Sequence, residues 1–543
     1  MKRFIESHNN ATYDIIVIGG GITGAAVAYE AASRGLSVAM VEKGDFGAAT
    51  SSATSKLIHG GLRYLANFEI GIVRESLRER RILENIAPNF VYPIPFIVPT
   101  YKNSKDNQWI LEPAMIIYDL LSYDKGFTWD RAKRIPQHRH LSRNRVLDLE
   151  PVVKAERLTG GIMFYDCASI IPERLTLAFI KSAVKFGAVV SNYSKVEDFT
   201  RETGKITGVV VRDLLNGKTV EIRGKMTINC AGPWADLVLD VAGGKPGSQH
   251  VRRSEGIHVI TRSLTRKYVV GALTPNGRHC NILPWRGHSL LGTTDREFTG
   301  NPDDYRVTRE KIEEFIGEIN MSFGDSELVK YSDIKYAYGG LRPLVEDETV
   351  DVYKTSRKYE IYDNADDGLQ GLITVEGGKY TTSRNLAENV LKTVMNKFGR
   401  EYKKSITARN YLAGCDIKDM AAFIYSAKIS SSDFSETAVD YLARIYGSEF
   451  NDVMQIARSD RKYAEPLNAD GELPAQALYA VKNEMARTLT DIVLRRTGIG
   501  TLGNPGPKVL ETVAGIAAGE LKWDAARVDS ELEKAAKALS VPK

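Results

Sequence analysis

Residues 14–24 combine a short apolar run with glycines at 19, 21 and 24. A Gly-x-Gly-x-x-Gly spacing between a strand and a helix is what a bound pyrophosphate requires. Gly19 makes the tight turn, Gly21 lets the main chain approach the phosphates, and Gly24 lets helix and strand pack closely. The helix N-terminus then faces the negative charge. Glu42 ends a second apolar strand, residues 36–41, at the distance expected of a carboxylate on a ribose hydroxyl. An acid there repels a 2′-phosphate, so NADP is disfavoured while NAD and FAD stay open. The small polar loop 44–55 follows, and Thr50, Ser51 and Ser52 offer it hydroxyls and backbone amides for the cofactor. Ordinary turn chemistry is the alternative reading of that loop.

The elements that must position these groups read as α/β. A charged helix spans about 69–85. Residues 91–99 read as an edge strand, because prolines at 93, 95 and 99 cannot donate to a central ladder. Residues 173–187 form an amphipathic helix with a glycine stop. Short alternating runs over 251–345 indicate an antiparallel sheet, hence a second domain. Residues 372–378 return to the first domain, and the chain is mostly helical from about 405. The expected division is a discontinuous Rossmann-like cofactor domain (1–100, 155–250 and 366–404), a substrate-binding cap (101–154 and 251–365), and a helical C-terminal domain (405–543).

Bulk properties narrow the class. The chain has 543 residues, 43% hydrophobic and 26% charged, enough for two to four domains. A net charge of +5 is too mild to argue for nucleic acid. No apolar run is long enough to span a membrane, and the N-terminus lacks the apolar core of a signal peptide. Cys167, Cys230, Cys280 and Cys415 are scattered, suit neither a disulfide framework nor a metal site, and fit a reducing cytoplasm. Residues 109–123 are aromatic and apolar, and Arg131, Lys133, Arg134, Arg139, Arg143 and Arg145 follow. Apolar surface beside basic charge is what an interfacial membrane anchor needs. A packed helix with a solvated basic loop is equally open.

The glycine motif, the block from Ala49 to Tyr64, the Asn229–Trp234 segment, Gly340-Leu-Arg-Pro343 and Gly377-Gly-Lys379 together resemble FAD-dependent glycerol-3-phosphate dehydrogenases, members of the D-amino-acid-oxidase-like flavoproteins. The likeness spans about 14–400 and continues in residues 479–497 of the helical tail. The 56–64 block is its specific part. Three positions depart from the family pattern: Ala26 where Gly is common, Glu30 where Asp is common, and Ser383 where Tyr is common.

The resemblance implies FAD as cofactor and oxidation of sn-glycerol 3-phosphate to dihydroxyacetone phosphate, with the C2 hydride passing to flavin N5 and electrons on to a membrane quinone. It places Arg63, Tyr64 and Arg342 at the substrate, with Arg357 a further phosphate ligand. Arginine suits that task because its planar fork binds two oxygens. His258 would be the general base, with an ordinary pKa near 6.5 suited to it. Lys379 would stabilise negative charge on the flavin or hold the substrate oxygen. Lys56, Leu57, Ile58, His59, Gly60, Gly378, Thr381 and Thr382 are the remaining flavin contacts, His59 against the ring. The protein is then expected on the inner face of the cell membrane, with the tail a structural or dimer-forming unit. The competing readings are an oxygen-using glycerol-3-phosphate oxidase, a flavoenzyme of amino or hydroxy acids, and a non-catalytic flavin-binding regulator.

Overall fold

A computed structural model describes residues 1–8, 11–102, 107–243, 251–345 and 358–543. The first strand, Thr12–Ile18, is the centre of a mostly parallel sheet. Its neighbours run in the order Tyr359–Asp363, Leu372–Gly377, Thr219–Asn229, Thr12–Ile18, Val38–Val41, Val189–Ser191. Ile15, Ile16 and Val17 are wholly buried, as expected of a parallel strand covered on both faces. The covering helix Ile22–Ala32 is buried over nearly its whole length. Its alanines let it lie close against the helices Pro172–Lys185 and Ser383–Lys397.

Ten of the described strands form a second sheet. It contains Arg252–Thr261, flanked by Ile334–Leu344 and His288–Gly292. The expected boundaries shift here. Leu57–Ile58, Val91–Tyr101 and Leu158–Ser169 belong to this cap sheet, whereas Tyr359–Asp363 belongs to the first. Val91–Tyr101 is also an interior strand, not an edge. It pairs along its length with Leu158–Ser169, yet its other neighbour touches it only at Phe96 and Ile97. Its three prolines are all odd-numbered and lie outside that short contact, so their missing N–H groups interrupt little.

The C-terminal region is helical and is tied to both other parts. Arg174 makes a bidentate pair with Glu484 at 2.9 Å, and Arg286 of the cap pairs with Asp470 at 2.5 Å. Glu30 shows what its extra methylene over aspartate reaches. Its carboxylate accepts from Ser405 and Thr407 hydroxyls at 2.8 and 2.7 Å, pinning the start of the C-terminal segment to the first helix.

Candidate active site

The two sheets enclose a cleft of about 1690 Å³ that runs from the glycine turn to the cap strands. Backbone geometry builds its nucleotide end. Gly19 has φ +104°, and a Cβ there would lie 2.5 Å from the Cys230 carbonyl oxygen. A Cβ on Gly24 would lie 1.9 Å from the Gly19 carbonyl oxygen. Gly21 caps the helix without a side chain of its own, leaving the helix start open to the cleft. Ser51 crosses the loop to accept from Ile22 N at 2.9 Å.

Glu42 lies on the cleft wall. Its carboxylate accepts from Gly20 N at 2.6 Å and Gly44 N at 2.7 Å, and burial pushes its pKa up against these bonds. Thr50 donates to the Leu341 carbonyl at 2.5 Å, joining this loop to the cap. Thr381, Gly378 and Lys379 also line the cleft, after a turn with positive φ at Gly377 and Gly378.

Several expected cofactor contacts face elsewhere. The Ser52 hydroxyl donates to the Ala48 and Ala49 carbonyls. The Lys56 ammonium is buried, 3.3 Å from Glu173 and 5.0 Å from the Trp285 ring. Ile58 is buried off the wall. Gly60 packs on Tyr118 and Leu77, and its N–H donates to Asp166 at 3.1 Å. Leu57, His59 and Gly61 do line the cleft. The alternation is the period of an extended chain, which sends successive side chains to opposite faces. Thr382 is likewise buried behind the wall, its hydroxyl 3.4 Å from the Lys379 carbonyl. Ser383 is buried beside it rather than on the cleft, so that departure concerns packing.

Two clusters form the reacting end. In the first, Arg63 donates to the Tyr64 hydroxyl at 3.2 Å and its guanidinium sits 4.9 Å from that ring. The Lys379 ammonium lies 4.7 Å from the same ring and donates to Ser76. In the second, His258 Nε2 meets the Ser55 hydroxyl at 2.9 Å, and the imidazole stacks on Tyr338 at 5.1 Å. Arg342 spans the neighbouring strands. It donates to the Thr293 hydroxyl at 2.7 Å and the Thr294 carbonyl at 3.1 Å, and pairs with Asp295 at 3.2 Å. Gly256 makes room for it, since a Cβ there would lie 1.8 Å from its Nη2. Arg63, Tyr64, His258, Arg342 and Lys379 all line the one cleft. Arg357 lies outside the described residues.

The electrostatics follow from this crowding of cations. Burial, with Arg342 and Lys56 nearby, holds His258 well below the ordinary histidine range, correcting the expectation of a pKa near 6.5. His59 is lowered to about 4, mainly by burial, with Lys379, Arg63 and Arg80 adding and Asp166 opposing. Both rings are therefore neutral at neutral pH. His258 Nδ1 is buried and has no hydrogen-bond partner among the described residues.

Sequence reasoning missed Asp295, Ser55 and the Arg80–Asp166 pair beneath Gly60. Asp295 carried one usable signal, a carboxylate closing a Thr-Thr-Asp run after an apolar strand. Arg80 sits in a charged helix that looks solvated, yet it is 1% exposed.

The cleft suits FAD: a turn that only glycine tolerates, an acid on the wall, room for a flavin as well as a nucleotide, and a cationic far end. The family of FAD dependent oxidoreductases (DAO) matches residues 14–384, and the C-terminal domain of alpha-glycerophosphate oxidase matches 405–528. A glycerol-3-phosphate dehydrogenase of Synechocystis is 32% identical, covering 98% of this chain and 97% of its own. Glycerol-3-phosphate dehydrogenase 2 of Mycobacterium tuberculosis is 34% identical over 96% and 87%. Among solved structures, the glycerol-3-phosphate dehydrogenase from Bacillus halodurans complexed with FAD superposes with a TM-score of 0.77 at 27% identity, over 98% of this chain and 97% of that one. The L-α-glycerophosphate oxidase of Mycoplasma pneumoniae, 18% identical with a TM-score of 0.52, shares the fold. Matched from its glycine turn through its helical tail, the chain belongs to the glycerol-3-phosphate dehydrogenase family of FAD-dependent oxidoreductases.

Proposed function

We propose that this enzyme oxidises sn-glycerol 3-phosphate to dihydroxyacetone phosphate and passes the electrons to a membrane quinone. The observation that carries the substrate is that Arg63, Arg342 and Lys379 line one cleft together with a neutral His258. Bound FAD supplies the two-electron hydride acceptor for C2. The protein supplies the rest. Arg342 and Arg63 hold the phosphate dianion, for which paired guanidinium forks are well shaped. His258 Nε2 accepts the 2-hydroxyl proton, and Ser55 Oγ is the hydroxyl that occupies this bond before substrate enters. Lys379 stabilises the negative charge that develops as hydride leaves. A carboxylate substrate would need fewer cations, which disfavours amino and hydroxy acids.

The acceptor reading rests on the cap surface. The helix Gln108–Leu121 turns Trp109, Ile110, Ile116, Ile117 and Leu120 outward, and Phe68 beside the cleft is 86% exposed. Phe68, Ile70, Ile110 and Ile117 also line the cleft, so apolar surface runs from its interior to the outside. Arg131, Arg134, Arg139, Arg143 and Arg145 are exposed nearby in sequence, whereas Lys133 is buried on the Pro88 and Val91 carbonyls. None of the described helices is long and apolar enough to cross a membrane. An apolar helix face with basic neighbours favours lying on an anionic bilayer, here its cytoplasmic face.

The test is anaerobic. Adding sn-glycerol 3-phosphate should bleach the flavin band near about 450 nm, and a short-chain quinone should restore it much faster than air. An unbleached flavin would reject the substrate. Faster return in air would make the enzyme an oxidase.

A further inference from the structure

We propose that Arg495 and Arg496, in the C-terminal domain, are positioning residues for FAD: through Asp45 they hold the loop that closes over the Gly19–Gly24 turn. The inference is independent of which alcohol is oxidised. It gives a task to the 479–497 segment, which the reaction itself does not use.

Asp45 is 2% exposed and sits between cleft-wall residues. Before it, Gly44 N donates to Glu42, and Glu42 accepts from Gly20 N. After it, the Phe46 ring lies under Gly20, where a Cβ would stand 2.7 Å from it, and Gly47 N donates to the Gly20 carbonyl at 3.0 Å. The loop therefore grips the glycine turn on both sides of Asp45.

The Asp45 carboxylate makes no bond to that turn. It accepts from Arg495 Nε at 2.6 Å, from Arg496 Nη1 and Nη2 at 2.8 and 2.7 Å, and from Asn192 Nδ2 at 3.0 Å. Four donors fill a carboxylate's accepting capacity. Adjacent side chains on a regular helix diverge by about 100°. Here the chain makes a π-helical turn over Ile492–Arg496, and both guanidinium groups reach one carboxylate.

Arg496 is itself fixed. Its Nε donates to the Glu484 carbonyl at 2.9 Å, and its own carbonyl accepts from Arg174 at 2.6 Å. Asn192 completes the link, donating to the Met485 carbonyl at 3.0 Å. A C-terminal anchor thus ends on a loop that also grips the nucleotide turn and accepts from Tyr193 N at Gly44.

Asp45→Asn would strand the buried Arg496 and leave Arg495 to Asp491 alone, and could simply unfold, so milder variants test the idea in the holoenzyme. Arg496→Lys and Arg495→Gln each remove part of the clamp. Arg286→Gln is the control, because it breaks contacts with Asp470, Gly498 and Thr501 where the C-terminal domain meets the cap and leaves the bonds to Asp45 in place. FAD retention on dilution, read by flavin fluorescence, gives the FAD Kd, and thermal melting at saturating FAD gives fold stability.

Arg496→Lys and Arg495→Gln should raise the FAD Kd by about ten- to hundredfold, the worth of one charge-assisted bond. Their KM for sn-glycerol 3-phosphate at saturating FAD should not change. Arg286→Gln should lower the melting temperature while its FAD Kd stays within about threefold of wild type. Wild-type FAD retention in Arg496→Lys overturns the proposal. So does equal FAD loss in Arg286→Gln, which would mean general loosening of the C-terminal domain.

Discussion

Arg342→Ala should reveal what the cationic end of the cleft recognises. In the protein Arg342 is held by Thr293, Thr294 and Asp295, so its orientation is set before substrate arrives. Removing it costs the charge-assisted bonds to phosphate, about 1.5–3 kcal/mol. It also removes the guanidinium that balances the Asp295 carboxylate, whose side chain is 4% exposed and still accepts from Ser254, near a dianion. At an effective dielectric of about 20, two charges some 5–8 Å apart repel by about 2–3 kcal/mol. The sum of roughly 3.5–6 kcal/mol corresponds to a loss of about two and a half to four and a half decades in kcat/KM, at 1.36 kcal/mol per decade. The assay is anaerobic flavin reduction by stopped flow, run with sn-glycerol 3-phosphate and with glycerol. Glycerol lacks the phosphate, so its slow rate should change little. Adding Asp295→Asn to the same protein should return a decade or more, because the repulsion is removed while the lost bonds are not. Equal losses for both substrates would refute a phosphate role and make Arg342 a strut of the cap sheet. No gain from Asp295→Asn would refute the electrostatic half of the sum.

Three further outcomes follow from the geometry. Gly24→Ala puts a methyl 1.9 Å from the Gly19 carbonyl oxygen. The helix must move off the strand at a cost of about 1–3 kcal/mol, and the protein should purify without flavin absorbance; a yellow protein with wild-type retention would contradict the close packing. His258 is lowered by burial first and by Arg342 and Lys56 next, so it is neutral at pH 6.5 and takes a proton only at lower pH. The acid limb of wild-type kcat/KM should thus fall well below pH 6.5, and His258→Ala should abolish that limb and slow reduction by about 10²–10⁴-fold; a limb that survives the substitution assigns it to another group. Trp109→Glu and Leu120→Glu place charge on side chains 87% and 68% exposed. Each should weaken binding to anionic vesicles by about tenfold or more while turnover with a water-soluble dye stays unchanged, and unaltered vesicle sedimentation would remove this face as the membrane contact.

What the sequence made legible was what a few adjacent residues decide. The glycine turn, the Glu42 strand end and the covering helix are local constraints, and each stands where the spacing put it. Arg63 with Tyr64, His258, Arg342 and Lys379 come from four separated segments, and it was the likeness to a family rather than their spacing that grouped them. The misplaced residues fail for identifiable physical reasons. Lys56, Ile58 and Gly60 were grouped with Leu57 and His59 as one stretch of contacts, but an extended chain gives only alternate residues to the cleft. The proline rule erred over Val91–Tyr101 because it treats a ladder as continuous, while the second neighbour pairs at just two residues.

Buried charge was the information that local reasoning could not hold. Arg80, Lys133 and Asp45 stand in segments that look solvated, and each is buried because its partner comes from elsewhere in the chain: Asp166, the Pro88 and Val91 carbonyls, and Arg495 with Arg496. An isolated ion would not tolerate such burial, so each such residue implies a partner and hence a contact between elements. Several of these contacts fall at the junctions of the three parts of the fold. Glu484 is held at about 2 despite complete burial because Arg174 and Lys181 face it from the first domain. A carboxylate lowered in this way stabilises the fold above its unfolded pKa and loses that contribution as pH falls below about 4. The ion pairs that dock the C-terminal domain therefore weaken in acid, and the anchor of the Asp45 loop weakens with them.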